Sequence, residues 1–283
     1  AVEGTVVFAD SYPAAPPLSV FALRNERASA WSSGQLYTRA MFHGPCWQGV
    51  RSVDRWGEDG SAATLEVLPV EGFFHSLSDP RFITDPVVLD AAGQLVGFWT
   101  MEHLKDGFLV FPYRVKALQI YGPQPALRAQ VKCQARIRLI GSTQVLSDID
   151  MIGPDGRLWM RLEGWEDKRF DLPETMYRFL LSPREVIPSV AWADPVASFG
   201  DPSCFVCCRT GPLSRGDEKF WQKVFSYLML NHRERTLFKN LGASEDRRQQ
   251  WLMGRLAAKD AVRLLLKERY GITAGPADIE IGN

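Results

Sequence analysis

The chain has 283 residues, of which 46% are hydrophobic and 23% charged, as in ordinary globular proteins. Its 33 basic and 33 acidic side chains balance, so net charge points neither to nucleic acid nor to an anionic membrane. The five cysteines are odd in number and lack the spacing of a disulfide framework, which predicts a reducing, cytoplasmic location. No apolar run is long enough to span a bilayer, and the N-terminus lacks a secretory signal pattern.

Residues 1–25 have the pattern of one short apolar strand followed by a Pro- and Ala-rich linker. The chain opens without an initiator Met, which indicates that it belongs to a longer polypeptide. Between about 35 and 70, three stretches have the composition of strands: QLYTRAMF, QGVRSVDRWG and AATLEVLP. The residues GEDG form the predicted turn between the second and third of them.

The stretch TDPVVLDAAGQLVGFW, residues 84–99, predicts a buried helix. Thr84 or Asp85 can serve as its N-cap, and Pro86 suits the first helical position. Gly107, in LKDG, can cap the far end, which predicts a helix over about 86–104.

This helix carries one carboxylate, Asp90, in otherwise apolar surroundings. Gln94 is four residues further on, so the two polar groups share a face. Gly93 and Gly97 lie beside them and would let another backbone or a substrate approach closely. Two interpretations fit the spacing equally well: a general acid, or a capped core helix with an incidental Asp.

Four long strand patterns follow between residues 107 and 167, with GPDGR at 153–157 as a hairpin turn. The pattern predicts the α+β class, an antiparallel sheet wrapped around one long helix. Residues 173–214 are rich in proline and predict a linker, and 215–283 predict a smaller, partial α+β domain that is mainly helical. The CxxC within CFVCC, residues 204–208, lacks a second pair, so we assign no metal site.

Two motifs in this order, FHGPCWQGV at 42–50 and DPVVLDAAGQ at 85–94, resemble the C-terminal hotdog of polyketide synthase dehydratases. The resemblance covers about residues 30–175 and implies a hotdog domain over 26–172, preceded at 1–25 by the end of another hotdog. It also implies that Asp90 is the catalytic acid and Gln94 its hydrogen-bonding neighbour.

The same resemblance implies a substrate-binding turn before the first of the strands. Gly44, Pro45 and Gln48 match the family's turn and its partner, and His43 stands where the family more often has Tyr.

The reaction that the resemblance implies is the dehydration of a 3-hydroxyacyl thioester to a 2-enoyl thioester, without a cofactor. The substrate would be carried on the phosphopantetheine arm of an acyl carrier protein, in a synthase with further domains. The contacts of such dehydratases imply at most a weak homodimer for this chain.

The family's base is a His in an H-x-x-x-G-x-x-x-x-P motif ahead of the acid. Here that pattern begins at His103, thirteen residues after Asp90 and roughly 20 Å along the helix. We therefore expect the base on a first hotdog that the chain lacks, and an inactive chain on its own. The alternative is a pseudo-dehydratase that acts as a structural or docking module.

The stretch RRQQWLMGRLAAKDAVRLLL, residues 247–266, resembles the N-terminal part of phosphopantetheinyl transferases, over about 215–283. The two resemblances in this order imply an iterative synthase of the enediyne type. A complete transferase would use coenzyme A and magnesium. Five basic residues would bind the coenzyme A phosphates, unless they form a solvated face paired with acidic neighbours. They are Arg247, Arg248, Arg255, Lys259 and Arg263.

Overall fold

The computed structural model describes residues 3–77, 80–104, 108–194, 206–211 and 218–282. The chain divides into two compact units, Ala1–Phe170 and Asp171–Asn283. None of the helices within the described residues is both long and apolar enough to cross a membrane.

The first unit contains one six-stranded sheet. Its strands are β1 (Val50–Gly57), β2 (Gly60–Glu66), β3 (Leu109–Ile120), β4 (Gln130–Ile140), β5 (Gln144–Ile152) and β6 (Leu158–Phe170). Their order across the sheet is β1-β2-β4-β5-β6-β3, and all neighbours are antiparallel. The predicted hairpin turn at 153–157 is present, because the Gly153 N–H donates to the Arg157 carbonyl over 2.9 Å.

A single helical turn, α1 (Ser33–Gln35), precedes the long helix α2 (Pro86–His103). Helix α2 contacts β1 and β3, which are the two edges of the sheet, as well as β2 and β4 between them. The sheet must therefore wrap around the helix, and this is the α+β hotdog fold that the sequence predicts. Eight apolar side chains of α2 are buried: Val87, Val88, Ala91, Ala92, Leu95, Val96, Phe98 and Trp99.

The N-terminus of α2 is built as predicted. The Asp85 carboxylate accepts hydrogen bonds from the Val87 and Val88 N–H groups, over 2.9 and 2.8 Å, and Pro86 is the first helical residue. The helix ends at His103, and the predicted cap at Gly107 lies outside the described residues.

The predicted strand QLYTRAMF is wrong, because α1 continues into a π-helical turn at Leu36–Ala40. The Ser32 N–H donates to Gln35 Oε1 over 3.1 Å, which starts the turn. Leu36 and Ala40, four residues apart, are both fully buried, so helical spacing is what covers the core here.

The predicted strand near the N-terminus is also wrong. Residues 3–25 form no strand, and Val6, Val7 and Phe8 are exposed. An extended segment needs a neighbouring strand to take up its backbone hydrogen bonds, and within the described residues this segment has none.

Glycines allow the close packing around α2. A Cβ at Gly93 would lie 2.7 Å from the Trp165 ring, and a Cβ at Gly97 would lie 2.4 Å from the Met41 methyl carbon. A Cβ at Gly49 would lie 2.9 Å from Ala91 Cβ. The glycines on α2 near Asp90 therefore make room for side chains, Trp165 of β6 and Met41. The sequence had suggested that they make room for a backbone or a substrate.

The described part of the second unit contains four α-helices, a 3₁₀ turn at Pro276–Asp278 and one short strand pair. The helices are α3 (Glu174–Leu181), α4 (Glu218–Met229), α5 (His232–Asn240) and α6 (Glu245–Tyr270), and the strands are β7 (Val190–Ala191) and β8 (Cys208–Arg209). Helix α6 has Ser244 as its N-cap and Gly271, where φ is +65°, as its C-cap.

The structure places the start of the second unit at Asp171, whereas the sequence predicts a linker over 173–214. Helix α3 lies in this segment and stacks Phe179 on Phe225 of α4, with ring centroids 6.2 Å apart. The Ser189 N–H donates to Asp260 of α6 over 3.1 Å. The prolines limit helix length here, but the apolar residues between them still supply a buried face.

A buried carboxyl group on β6 should make the stability of the first unit depend on pH. Asp167 is 1% exposed, and burial raises its pKa to about 7, from about 3.8 in an unfolded chain. Between these values the folded state holds a proton that the unfolded state has released, so stability falls as pH rises.

We expect Asp167→Asn to remove this dependence, because the amide stays neutral at every pH. The free energy of unfolding of the variant relative to the parent should rise by about 1.4 kcal/mol per pH unit between about 4 and 7. Urea denaturation at several pH values measures this. Asp10→Asn, at an exposed position, is the control, and parallel curves for the parent and Asp167→Asn would contradict the assignment.

Candidate functional site

Asp90 and Gln94 meet on one face of α2, as the spacing predicts. Gln94 Nε2 donates to Asp90 Oδ2 over 2.6 Å and to the Trp47 carbonyl over 2.8 Å. The Gln94 side chain is buried, whereas the Asp90 side chain is 37% exposed. Gln94 therefore holds one carboxyl oxygen of a group that remains accessible from solvent.

Tyr37 fixes the orientation of the Gln94 amide, a role that the sequence did not reveal. The Tyr37 hydroxyl accepts from the Val50 N–H over 2.8 Å and donates to Gln94 Oε1 over 2.6 Å. With Oε1 acting as acceptor, Nε2 is left to donate to Asp90. Burial raises the pKa of Tyr37, so the hydroxyl keeps its proton. A strand at 35–42 would have placed this side chain differently, so the wrong local prediction concealed it.

The predicted turn lies against the start of α2. Gly44 precedes a 3₁₀ turn, Pro45–Trp47, and Gln48 Nε2 donates to the His43 carbonyl over 2.9 Å. The turn thereby presents the Trp47 carbonyl to Gln94 and the His43 ring to Asp90. In the structure Gly44, Pro45 and Gln48 shape this loop.

We expected the base outside this chain because the motif histidine is far from Asp90, but the structure brings another histidine beside the acid. His43 Nε2 lies 3.5 Å from Asp90 Oδ2. Burial lowers the pKa of His43, and the nearby Asp90 carboxylate opposes that effect. Since the expected inactivity of the chain rested on the absence of a neighbouring His, that argument no longer holds.

His103 is the last residue of α2, thirteen residues from Asp90, and its ring packs on aromatic side chains. It stacks on Trp99, with centroids 4.5 Å apart, and lies 6.0 Å from the Trp56 ring. The H-x-x-x-G-x-x-x-x-P pattern that begins at His103 therefore contributes a packing residue at the far end of the helix.

Three of the five basic residues that the resemblance assigns to coenzyme A, Arg255, Lys259 and Arg263, point into the interior of the second unit. All three side chains are buried. Lys259 Nζ bonds Glu234 over 2.5 Å and the carbonyls of Met229 and Pro276 over 2.8 and 3.0 Å. Their donors are used by the protein, so this arrangement does not offer them to a coenzyme A phosphate.

The other two cations of this group make similar internal bonds. Arg255 lies 3.3 Å from Glu234 and also donates to the Ile281 carbonyl. Arg263 pairs with Asp260 over 2.7 Å and donates to the carbonyls of Ala274, Pro183, Arg184 and Val186. The cluster thus ties α5, α6 and the chain on either side of them together.

Arg247 and Arg248 lie in the first turn of α6, where Arg247 is exposed. The Arg248 guanidinium lies 4.5 Å from the Phe238 ring centroid and donates to the Leu241 carbonyl over 3.3 Å. The transferase interpretation of this unit stays a prediction that rests on the sequence resemblance.

The fold is that of a hotdog protein, in which an antiparallel sheet wraps around one long buried helix. The accessible carboxyl group of Asp90 lies near the start of that helix. The model of the polyketide synthase dehydratase N-terminal domain matches residues 15–174, more than half of the chain. The chain belongs to the polyketide synthase dehydratase family. The matching family model is named for an N-terminal domain. Our assignment of residues 26–172 to the C-terminal hotdog of a dehydratase therefore stays a prediction.

Similar solved structures include three bacterial dehydratase domains. That of RzxB from Pseudomonas fluorescens is 18% identical, with a TM-score of 0.38 over 49% of each chain. A trans-AT domain from Brevibacillus brevis is 21% identical, with a TM-score of 0.43 over 57% of this chain and 56% of that chain. That of PpsC from Mycobacterium tuberculosis, in complex with C12:1-CoA, is 23% identical, with a TM-score of 0.40 over 55% and 56%. The chain spans about half the length of these structures.

We expect Tyr37→Phe to destabilise the first unit. The substitution removes the acceptor for the buried Val50 N–H and the donor to Gln94, at a cost of about 1–3 kcal/mol. Urea denaturation measures the change. Tyr113→Phe, which removes an exposed hydroxyl bonded to Glu166, is the control, and equal stability of the two variants would refute the bridging role.

We expect Glu234→Gln to destabilise the second unit by about 3–5 kcal/mol, because two buried cations lose their shared counter-charge. The matched control is Glu245→Gln, whose carboxylate lies 3.7 Å from Lys219 at the surface and should contribute about 0–1 kcal/mol. Chemical denaturation compares them. A small effect at Glu234 would mean that the cations find other partners.

Proposed function

We propose that this chain catalyses the dehydration of a 3-hydroxyacyl thioester to a 2-enoyl thioester, with Asp90 as the general acid. The substrate is presented on the phosphopantetheine arm of an acyl carrier protein, which we propose as the partner. The observation that carries the proposal is the accessible Asp90 carboxyl group held by Gln94 on the central helix of a family dehydratase.

The chemistry of elimination agrees with this geometry. The C3 hydroxyl leaves as water only if a proton reaches its oxygen, and a positioned carboxylic acid supplies one. Gln94 binds Asp90 Oδ2, so the other carboxyl oxygen is free to face the substrate. The exposed rings of Phe42 and Trp47 flank the site and offer apolar surface to an acyl chain.

We further propose that the chain works within an iterative polyketide synthase that carries a phosphopantetheinyl transferase. This part rests on the order of the two resemblances along the sequence. The alternative is a non-catalytic module that holds carrier proteins, and the close approach of His43 to Asp90 weighs against it.

We expect Asp90→Asn to lower dehydration by about 10²–10⁴-fold, because the amide keeps the size of the acid but has no transferable proton. The substrate is a 3-hydroxyacyl acyl carrier protein, and mass spectrometry of the carrier reads the loss of water. The assay uses this chain and, where the chain is part of a longer synthase, the whole polypeptide.

The control variant is Asp10→Asn, at an exposed position, which should turn over like the parent. Circular dichroism and thermal melting confirm that Asp90→Asn is folded. Unchanged dehydration by Asp90→Asn would end the assignment of the acid. Carrier binding without any dehydration in the whole polypeptide would favour the docking module.

A further inference from the structure

An apolar surface begins directly beside the proposed acid. The Trp47 carbonyl accepts from Gln94 Nε2 over 2.8 Å, and the same amide group holds Asp90. The Trp47 ring is 36% exposed and packs on Phe73, with ring centroids 4.9 Å apart and an angle of 30° between the planes. One side chain, Gln94, therefore separates the acid from a pair of aromatic rings.

The apolar surface continues along the loop between β2 and α2. Phe74 packs on Phe82, with ring centroids 6.4 Å apart, and its backbone pairs with that of Leu77. Phe74 and Leu77 are 50% and 49% exposed, and Phe73 and Phe82 are half-buried. Large apolar groups gathered on a surface indicate a binding site. We call Trp47, Phe73, Phe74, Leu77 and Phe82 the aromatic surface.

A tight turn holds Phe73 against Trp47. The Phe73 N–H donates to the Val70 carbonyl over 3.3 Å, and Gly72, the residue between them, has φ of +83°. This is the pattern of a type II turn, whose third position takes glycine because a side chain would be strained there. The backbone therefore sets the place of the Phe73 ring, so the ring pair does not depend on chance packing of a loose loop.

The charges of this loop balance. Within residues 69–77 and 80–83 one carboxylate, Glu71, and one guanidinium, Arg81, are both exposed. A surface without net charge gives a charged partner little electrostatic guidance, whereas an uncharged hydrocarbon gains from leaving water. The composition of the aromatic surface thus favours an apolar occupant.

We propose that the aromatic surface binds the tail of the acyl chain beyond C3, so that the site prefers a 3-hydroxyacyl thioester with a long apolar chain. The inference rests on the proposed function, because it names the substrate class of that same site. With the C3 hydroxyl at Asp90, the next carbons meet the Trp47 ring first, and later carbons meet Phe73 and Phe74. A four-carbon chain ends before it can cover these rings.

The experiment measures binding without chemistry, so it does not depend on turnover. Decanoyl-pantetheine and butanoyl-pantetheine lack the 3-hydroxyl group and cannot be dehydrated. Isothermal titration calorimetry, below the micelle concentration of the longer probe, gives the dissociation constant of each. We expect the parent chain to bind decanoyl-pantetheine at least about tenfold more tightly, because the longer tail removes more apolar area from water.

The variants remove the rings singly and together. Phe73→Ala and Phe74→Ala should each reduce the preference for the decanoyl probe by about 3–10-fold, and the double variant should bind both probes about equally. Binding of butanoyl-pantetheine should stay unchanged in all three. Gly72→Ala keeps every ring but strains the turn, so it should weaken the decanoyl probe alone.

The matched control is Tyr113→Ala, which removes a 53% exposed ring from β3 and should behave like the parent. Thermal melting checks that every variant is folded. With folded variants, a change confined to the longer probe reports the tail and not a general loss of structure.

Equal affinity of the parent for the two probes would overturn the proposal, as would an unaltered preference in the double variant. A double variant that binds both probes like the parent but binds an acyl carrier protein more weakly would also overturn it, because the surface would then contact the carrier. Unchanged dehydration by Asp90→Asn would refute the proposed function instead, and that result does not alter the comparison of the two probes.

Discussion

The burial of α2 inside the sheet is the constraint on which the first unit depends. A helix that is apolar on nearly every face is stable only when it is covered on nearly every side, and each large apolar side chain contributes about 1.5–3 kcal/mol when fully buried. The sheet reaches both sides of the helix through its edge strands, and glycines at 49, 93 and 97 let the neighbours approach closely. Asp90 lies where this cover is incomplete, which is why its carboxyl group remains accessible.

The site is assembled from two pieces of chain that the same burial brings together. The turn at 43–48 packs against the start of α2, and four hydrogen bonds link the Val50 N–H, Tyr37, Gln94, Asp90 and the Trp47 carbonyl. Each polar group in this chain of contacts has a defined donor or acceptor role, so the carboxyl group is held without being buried. The histidine on the turn lies beside Asp90 only because the loop is held in place.

The second unit uses charge in a different way. Glu234 and Asp260 pair with three buried cations of α6, and the remaining donors of those cations bind backbone carbonyls. A spacing of four residues places basic side chains on one helix face but carries no information on whether that face meets solvent. One of the two buried acids that pair with them comes from another helix, so the sequence could not distinguish a phosphate site from an internal network.

The sequence by itself determined the long helix, an N-cap at Thr84 or Asp85, the strands after it and the position of Asp90 and Gln94 on one face. These features follow from local periodicity and capping, which act over a few residues. Tertiary structure alone decided that residues 35–42 are helical, that Tyr37 orients Gln94 and that His43 meets Asp90. Those outcomes depend on contacts between positions up to 57 residues apart, and such contacts are set by how the core closes rather than by any local pattern.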